Sequence, residues 1–222
     1  MKELLIVLPV INEKQNLELM MPPLLKYLDG KGGVLCVDDN STDGTDTMFA
    51  ELMKRHNNVF YIRNQKRIGL GNVYKMGAEF AIKNGYQWMQ HMDADLSHRV
   101  EDLKNFDLVK DSSDIIIGSR YMKGGKILNW PFKRLFISSC ANLYARTILG
   151  CFQIHDLTGG FNRTRTDVLQ SINFKDIKSN GYASQVELKY RVYKKGYVVK
   201  EVPITFSDRE IGKTKMNKAI VV

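Results

Sequence analysis

Short apolar runs alternate with longer amphipathic stretches through the first half of the chain. Five runs rich in β-branched, aromatic and leucine residues are typical of buried strands: 4–10, 34–38, 59–63, 88–93 and 114–119. Between the first four, the periodicity predicts helices near 14–29, 43–56 and 71–84. This alternation predicts an α/β fold, with a mostly parallel sheet flanked by helices.

The second half is less regular. Residues 129–150 and 181–196 are predicted to be helices, and 197–207 a strand. A length of 222 residues with 44% hydrophobic content predicts one domain spanning 1–222. The chain ends in a basic stretch followed by "AIVV" without a helix stop signal, a pattern that favours a C-terminus truncated relative to a longer protein.

Polar residues follow three of the predicted strands at the points where these strands end. They are Asn12 and Glu13, Asp38 and Asp39, and Asp93 and Asp95. Ligands of doubly wound sheets bind beyond the carboxyl ends of the strands, and Mg²⁺ and Mn²⁺ prefer carboxylate oxygens. Any one of these groups would also suit a surface turn that caps a helix. We expect capping from Ser41, Thr42 and Asp43, and a ligand role for Asp39.

The charge of the chain limits its expected partners, and its cysteine content argues against two kinds of site. Lys and Arg number 33 against 24 Asp and Glu, and the net charge of +9 favours an anionic partner such as a nucleotide, a phosphorylated lipid, a membrane surface or nucleic acid. Three cysteines without CxxC spacing argue against a disulfide framework or a zinc site. No run approaches the roughly 18 apolar residues of a membrane span. Tyr74 stands where a GxGxxG motif needs its third glycine, so a Rossmann dinucleotide site is not indicated.

Seven motifs occur in a fixed order along the chain: "LPVINE", "VDDNSTDGT", "RIGLGNVYKMG", "DADLSH", "GSRY", "DLTGGFNR" and "REIGKTKM". This set resembles family 2 glycosyltransferases of the GT-A fold, and within them the polyprenol (dolichol) phosphate mannosyltransferases. The resemblance runs from about Leu8 to Met216. It implies transfer of mannose from GDP-mannose to a polyprenyl or dolichyl phosphate with Mg²⁺ or Mn²⁺, by an enzyme peripheral at the cytoplasmic face of a membrane.

The resemblance also assigns roles to individual residues. It implies Pro9, Ile11, Glu13, Val37 and Asp39 around the base and ribose, and Asp93, Ala94 and Asp95 along the diphosphate, with Asp93 and Asp95 as the metal ligands. It further implies Arg120 at the sugar and phosphate, and a basic clamp of Arg209, Thr214 and Lys215. Asp95, Arg120 and Arg209 are the implied catalytic groups. Ser97 occupies a position that is Gln, a metal neighbour, in some relatives.

The acceptor side is predicted from the helical stretch 129–150. Arg134 and Ser138 are four residues apart, so they share a helix face and can hold one lipid phosphate together. Bulky apolar residues around them suit a membrane interface. An ordinary core helix with a basic outer edge fits the same residues equally well.

Two rival functions fit the same sequence. One keeps the fold and uses UDP-glucose or another sugar nucleotide with a polyprenyl phosphate acceptor. The other is a non-catalytic module that binds nucleotide or a membrane surface. Nucleic acid is not an expected partner, because acids at the ligand edge would repel its phosphates. We further expect a membrane-anchoring subunit or a missing C-terminal segment to anchor the chain at the membrane.

Overall fold

The computed structural model describes residues 2–179, 181 and 183–208. The strands are β1 (Lys2–Val10), β2 (Gly32–Asp38), β3 (Val59–Arg63), β4 (Tyr86–His91), β5 (Ile115–Ser119), β6 (Lys126–Leu128), β7 (Asn162–Arg165), β8 (Val199–Pro203) and β9 (Thr205–Ser207). The helices are α1 (Lys14–Leu28), α2 (Thr45–Arg55), α3 (Leu70–Lys83), α4 (Leu103–Asp107), α5 (Phe132–Leu149), α6 (Thr166–Ser171) and α7 (Ala183–Lys194). Short 3₁₀ turns lie at 100–102, 110–112 and 174–176.

The main sheet has seven strands in the order β3-β2-β1-β4-β7-β5-β8. All neighbours are parallel except β7, which runs antiparallel to both β4 and β5. The predicted mostly parallel α/β sheet is therefore confirmed. The predicted strand 197–207 is two strands, because β8 extends the main sheet whereas β9 pairs with β6 in a separate two-stranded sheet.

Both faces of the sheet are buried, which explains the unbroken apolar run of β1. Leu4, Ile6 and Leu8 face the layer that contains α1 and α2, while Leu5 and Val7 face the layer that contains α3, α6 and α7. Successive residues of a strand point to opposite faces, so a strand covered on both sides needs apolar residues at every position.

Helix α3 lies unusually close to β1. A Cβ at Gly77 would lie 2.7 Å from Cγ1 and 2.9 Å from Cγ2 of Val7, so only glycine allows this approach. The close contact matters for function because α3 begins at Leu70, beside the carboxyl ends of β1, β2 and β4. These ends form one edge of the sheet, where the three predicted groups of polar residues meet.

Candidate active site

A pocket of about 180 Å³ opens at this edge of the sheet. Its lining contains seven of the predicted nucleotide-sugar residues: Pro9, Ile11, Glu13, Asp39, Asp93, Ala94 and Asp95. The remaining lining residues are Val10, Gly69, Leu70 and Val73. Four carboxylates from three different strand ends, those of Glu13, Asp39, Asp93 and Asp95, thus face one concave site, as the order of strands in the sequence predicted.

Asp39 holds the loop between β3 and α3 against this pocket. Its Oδ1 accepts hydrogen bonds from the Ile68 amide (2.8 Å) and from Asn64 Nδ2 (3.2 Å), and its Oδ2 accepts one from the Gly69 amide (3.0 Å). A carboxylate has about four lone-pair positions, so Asp39 retains acceptor capacity for a ligand hydroxyl. The sequence did not assign Gly69, Leu70 and Val73 to the site, although they lie in the quoted motif "RIGLGNVYKMG".

The predicted capping of α2 is confirmed for Asp43 and wrong for Ser41 and Thr42. α2 begins after Gly44, whose φ of 84° lies in the left-handed region, and Asp43 Oδ1 accepts from the amide (3.2 Å) and the hydroxyl (2.6 Å) of Thr45, the first residue of the helix. Ser41 Oγ instead accepts from Asn12 N at 2.9 Å, and Asn12 Oδ1 accepts from Thr42 N at 2.7 Å. These polar residues fasten the loops after β1 and β2 to each other, so they shape the rim of the pocket.

A tight turn carries the acid pair. Leu96 has φ of 64°, a left-handed conformation that costs an L residue about 1–2 kcal/mol. Ser97 donates to Asp95 Oδ1 through both its amide (3.1 Å) and its hydroxyl (2.5 Å). Ser97 therefore orients a predicted metal ligand, and the strained backbone lies at the point where Asp93 and Asp95 must face one pocket.

His98 anchors the same turn from behind. Its Nδ1 accepts a hydrogen bond from the Asp93 amide at 2.9 Å, so the ring hydrogen resides on Nε2. The ring is buried and stacks on Phe161 with centroids 4.5 Å apart. Burial lowers the pKa of His98 to about 4, so the imidazole is neutral at pH 7. This agrees with a positional role.

Arg120 does not line the pocket. Its Nε lies 2.8 Å from Asp156 Oδ2 and its Nη2 lies 2.9 Å from Asp156 Oδ1, and Nη2 also donates to Thr158 Oγ1 at 2.9 Å. The side chains of Arg120 and Asp156 are 7% and 0% exposed, respectively. Burial alone would raise the pKa of the Asp156 carboxyl, but the charge and hydrogen bonds of Arg120 hold this pKa well below its usual range.

A buried lysine fixes the loop that carries Asp156. Lys189 of α7 donates to three carbonyl oxygens, those of Asp156 (2.9 Å), Leu157 (3.0 Å) and Gly159 (2.7 Å). Burial lowers the pKa of Lys189 to about 8. These three bonds match the three donors of an ammonium group and place the loop beside Arg120. The motif "DLTGGFNR" marked this loop in the sequence, but nothing local indicated its bond to Arg120.

The predicted acceptor helix is confirmed as a helix, and it lies on the surface. In α5, all of whose residues the structure describes, Asn142 is the one buried side chain. Exposed apolar side chains cover much of the rest: Phe132, Phe136, Ile137, Leu143, Tyr144 and Ile148. The alternative of an ordinary core helix is therefore wrong.

The two predicted phosphate-binding residues have partners near the start of α5. Arg134 Nη1 forms an ion pair with Asp208 Oδ1 at 2.7 Å, and Ser138 Oγ accepts from the Tyr121 hydroxyl at 2.7 Å. Arg134 is about half exposed, so an anion can compete for it. No helix among the described residues is both long and apolar enough to cross a bilayer.

Some predicted residues lie elsewhere. Val37 is fully buried within β2 and does not line the pocket. Arg209, Thr214 and Lys215 lie outside the residues that the structure describes.

The model of the Glycosyl transferase family 2 matches residues 5–172 of the chain. The chain belongs to this family. Two characterised relatives are the polyprenol monophosphomannose synthase of Mycolicibacterium smegmatis, 39% identical over 96% of this chain and 80% of that protein, and the undecaprenyl-phosphate mannosyltransferase of Micrococcus luteus, 36% identical over 98% and 88%. This family 2 glycosyltransferase is therefore an enzyme, which decides against the non-catalytic module.

Solved structures support the fold. Glucosyl-3-phosphoglycerate synthase from Mycobacterium tuberculosis, crystallised with Mn²⁺, UDP and phosphoglyceric acid, superposes with a TM-score of 0.71 at 13% identity, covering 99% of this chain and 75% of that one. S. aureus TarS 1-349 with UDP-GlcNAc gives 0.66 at 18% identity over 95% and 60%. Both likenesses confirm the GT-A-like architecture of this family 2 enzyme.

The acid pair fits a divalent cation. Asp93 and Asp95 supply hard oxygen donors to one pocket, and Mg²⁺ needs only one or two carboxylates when substrate phosphates complete its shell. Among residues 2–179, 181 and 183–208, no three acidic, cysteine or histidine side chains form a metal-binding group of their own. The two carboxylates of this family 2 glycosyltransferase suit a cation whose remaining ligands are diphosphate oxygens.

Proposed function

We propose that this glycosyltransferase transfers mannose from GDP-mannose to the phosphate of a polyprenyl or dolichyl phosphate, with Mg²⁺ or Mn²⁺, as a peripheral enzyme at the cytoplasmic face of a membrane. The observation that carries the proposal is the meeting of Asp39, Asp93 and Asp95 in one pocket. It is supported by the 36–39% identity to proteins named as polyprenol and undecaprenyl phosphate mannosyltransferases.

On the donor side, residues of three strand ends divide the nucleotide sugar between them. Pro9, Ile11, Glu13 and Asp39 would contact the base and ribose, and Asp93, Ala94 and Asp95 would line the diphosphate. When bound by Asp93 and Asp95, a divalent cation would act as a Lewis acid and offset the charge on the departing diphosphate.

The acceptor needs little activation. A phosphate monoester has a second pKa near ~6, so at neutral pH it is largely a dianion. One phosphate oxygen attacks the anomeric carbon of mannose as the bond from that carbon to the diphosphate oxygen breaks, and GDP leaves. Attack from the face opposite the leaving group inverts the configuration and yields a β-linked lipid phosphate. No base is required, which agrees with His98 being buried and having its Nδ1 already bonded to the Asp93 amide.

Basic and hydroxyl side chains would contact both phosphates. Arg120 and, from outside the described residues, Arg209, Thr214 and Lys215 are the proposed groups on the sugar and diphosphate side. Arg134 and Ser138 are the proposed acceptor-phosphate groups, because they share one face of α5. The exposed apolar side chains of the same helix suit insertion among lipid headgroups, which would bring the lipid phosphate to Arg134.

Transfer of label tests the proposal directly. Purified protein is incubated with radiolabelled GDP-mannose, a polyprenyl phosphate and Mn²⁺, and labelled lipid is measured. We expect transfer that EDTA abolishes and that Asp95→Asn reduces by at least ~100-fold, since the variant replaces a proposed metal ligand with a neutral amide and so weakens the binding of the cation that offsets the charge on the leaving diphosphate. Asp111→Asn is the matched control, because Asp111 is an exposed acid remote from the pocket.

The same assay separates donors. UDP-glucose and GDP-mannose are compared at equal concentration, and GDP and UDP are compared as inhibitors. Transfer of glucose with tighter binding of UDP would replace the proposed donor while keeping the enzyme class. Absence of labelled lipid with either donor, under conditions in which a known mannosyltransferase is active, would refute the proposed acceptor reaction.

A further inference from the structure

Three aromatic rings surround the Arg120 guanidinium. Its central carbon lies 5.2 Å from the ring centroid of Tyr121, 5.3 Å from that of Phe206 and 5.8 Å from that of Trp130. Phe206 and Trp130 pack edge to face at 5.5 Å. Each distance is within the roughly 6 Å at which a cation is attracted to a ring face. The rings therefore fix the direction of Arg120 together with its carboxylate partner.

Two of these rings also contact α5. The Tyr121 hydroxyl donates to Ser138 Oγ at 2.7 Å, and the Trp130 ring lies 4.1 Å from the central carbon of Arg134. Thus each of the two proposed acceptor-phosphate residues touches an aromatic side chain that packs against Arg120. The proposed reaction assigns no role to the rings of Tyr121 and Trp130.

The contacts have different consequences for the two residues. Ser138 accepts from Tyr121, so its own hydroxyl hydrogen remains to donate to an anionic oxygen. Arg134 is long and about half exposed, and ordering such a side chain costs up to about 2 kcal/mol of rotamer entropy. Stacking on a ring with few rotamers restricts Arg134 before the acceptor binds, which lowers that cost on binding.

We propose that Tyr121 and Trp130 are positioning residues that hold Ser138 and Arg134 in place relative to Arg120, and so align the acceptor phosphate with the reacting sugar. The proposal rests on the proposed function, because it takes Ser138 and Arg134 as the acceptor-phosphate groups. It goes beyond that function in assigning two residues that need not touch either substrate.

The hydroxyl of Tyr121 gives the cleaner test. Tyr121→Phe removes one hydrogen-bond donor and keeps the ring beside Arg120. We expect the KM for a polyprenyl phosphate in detergent to rise about three- to tenfold, which corresponds to the loss of one hydrogen bond. The KM for GDP-mannose should be unchanged, and Tm should change no more than in the control variant. Tyr197→Phe is the matched control, since it also removes a hydroxyl bonded to a serine Oγ, that of Ser171, before the amino end of β8.

A double-mutant cycle distinguishes positioning from general damage. If Tyr121 acts through Ser138, then Tyr121→Phe adds no further change to the KM of Ser138→Ala. Additive effects of the two substitutions would overturn the proposal, as would an acceptor KM for Tyr121→Phe equal to that of the wild type.

Trp130 provides the second arm. Trp130→Phe keeps a ring face and should raise the acceptor KM by no more than about threefold, whereas Trp130→Leu should raise it about tenfold or more. Arg134 lies closer to the ring than Arg120 does, so the acceptor KM should change more than the donor KM. Equal changes in both constants, or equal behaviour of the Phe and Leu variants, would overturn the role of Trp130. A wild-type enzyme without any transfer would instead refute the proposed function itself.

Discussion

The buried ion pair between Arg120 and Asp156 leads to a prediction with opposite outcomes for a single and a double substitution. Asp156 accepts both guanidinium contacts and also the amides of Arg120 (3.0 Å) and Gly159 (2.9 Å). Asp156→Asn keeps the shape of the side chain and removes its charge. It leaves the Arg120 cation in a site where that side chain is only 7% exposed.

The expected loss is large because the cation cannot reach water. Removing one partner of a buried ion pair costs about 3–5 kcal/mol, which for a chain of this size lowers Tm by roughly 6–20 °C. Asp167→Asn is the matched control. Asp167 makes an equivalent two-point contact with Arg165, at 3.1 and 2.7 Å, but both side chains are exposed, so the loss should not exceed about 1 kcal/mol.

Urea unfolding followed by circular dichroism measures both variants, and mannose transfer is measured on the same samples. Adding Arg120→Met to Asp156→Asn removes the unpaired cation, so the double variant should regain at least half of the lost stability. It should show no mannose transfer, because it lacks the proposed phosphate-side group Arg120. A stability change for Asp156→Asn within 1 kcal/mol of that for Asp167→Asn would refute the reasoning. Recovery of activity in the double variant would show that Arg120 has no part in transfer.

The pKa of Asp156 is depressed in the folded state, so its contribution to stability is present above its unfolded pKa and is lost as pH falls below about 4. In urea titrations, the wild type should therefore lose stability between pH 4 and 2 more steeply than Asp156→Asn. Gly77→Ala should lower the free energy of unfolding by about 1 kcal/mol, because overpacking against Val7 outweighs the gain in helix propensity, and Val7→Ala should relieve this loss in a double-mutant cycle. Phe136→Asp should reduce sedimentation with anionic liposomes at least fivefold, whereas Phe136→Leu should leave it unchanged, and equal binding of both variants would exclude this side of α5 as the membrane contact.

The sequence predicted those parts of the fold that follow local periodicity. β1 to β5 and α1 to α3 lie within about two residues of the predicted ranges, because their apolar patterns reflect burial on one or both faces. β7 escaped prediction because its residues are polar. The buried Arg163 in this strand donates to Gln90, Asp107, Tyr27 and the carbonyl of Leu103, which are 56 to 136 residues away in the chain. No local pattern can indicate such partners.

The site likewise contains some residues that local sequence patterns predict and others that they do not. The acids at strand ends were predictable, since the carboxyl ends of parallel strands meet at one edge. The environment of Arg120 was not, because Asp156, Trp130 and Phe206 come from three separate segments of the chain. Exposure of α5 was also undecided from its composition, since an apolar helix suits a core and a membrane interface alike. Only its position outside the packed layers distinguishes the two.

The reversed strand β7 has a consequence for how the chain assembles during synthesis. Residues 2–91 contain β1 to β4, which form a contiguous half of the sheet, so this half can pair as it leaves the ribosome. β5 cannot join that half directly, because β7 lies between β4 and β5 and is made more than 40 residues after β5. Until residues 162–165 have emerged, the nascent protein has an open strand edge at β4, and a chaperone that shields this edge would protect the intermediate from aggregation.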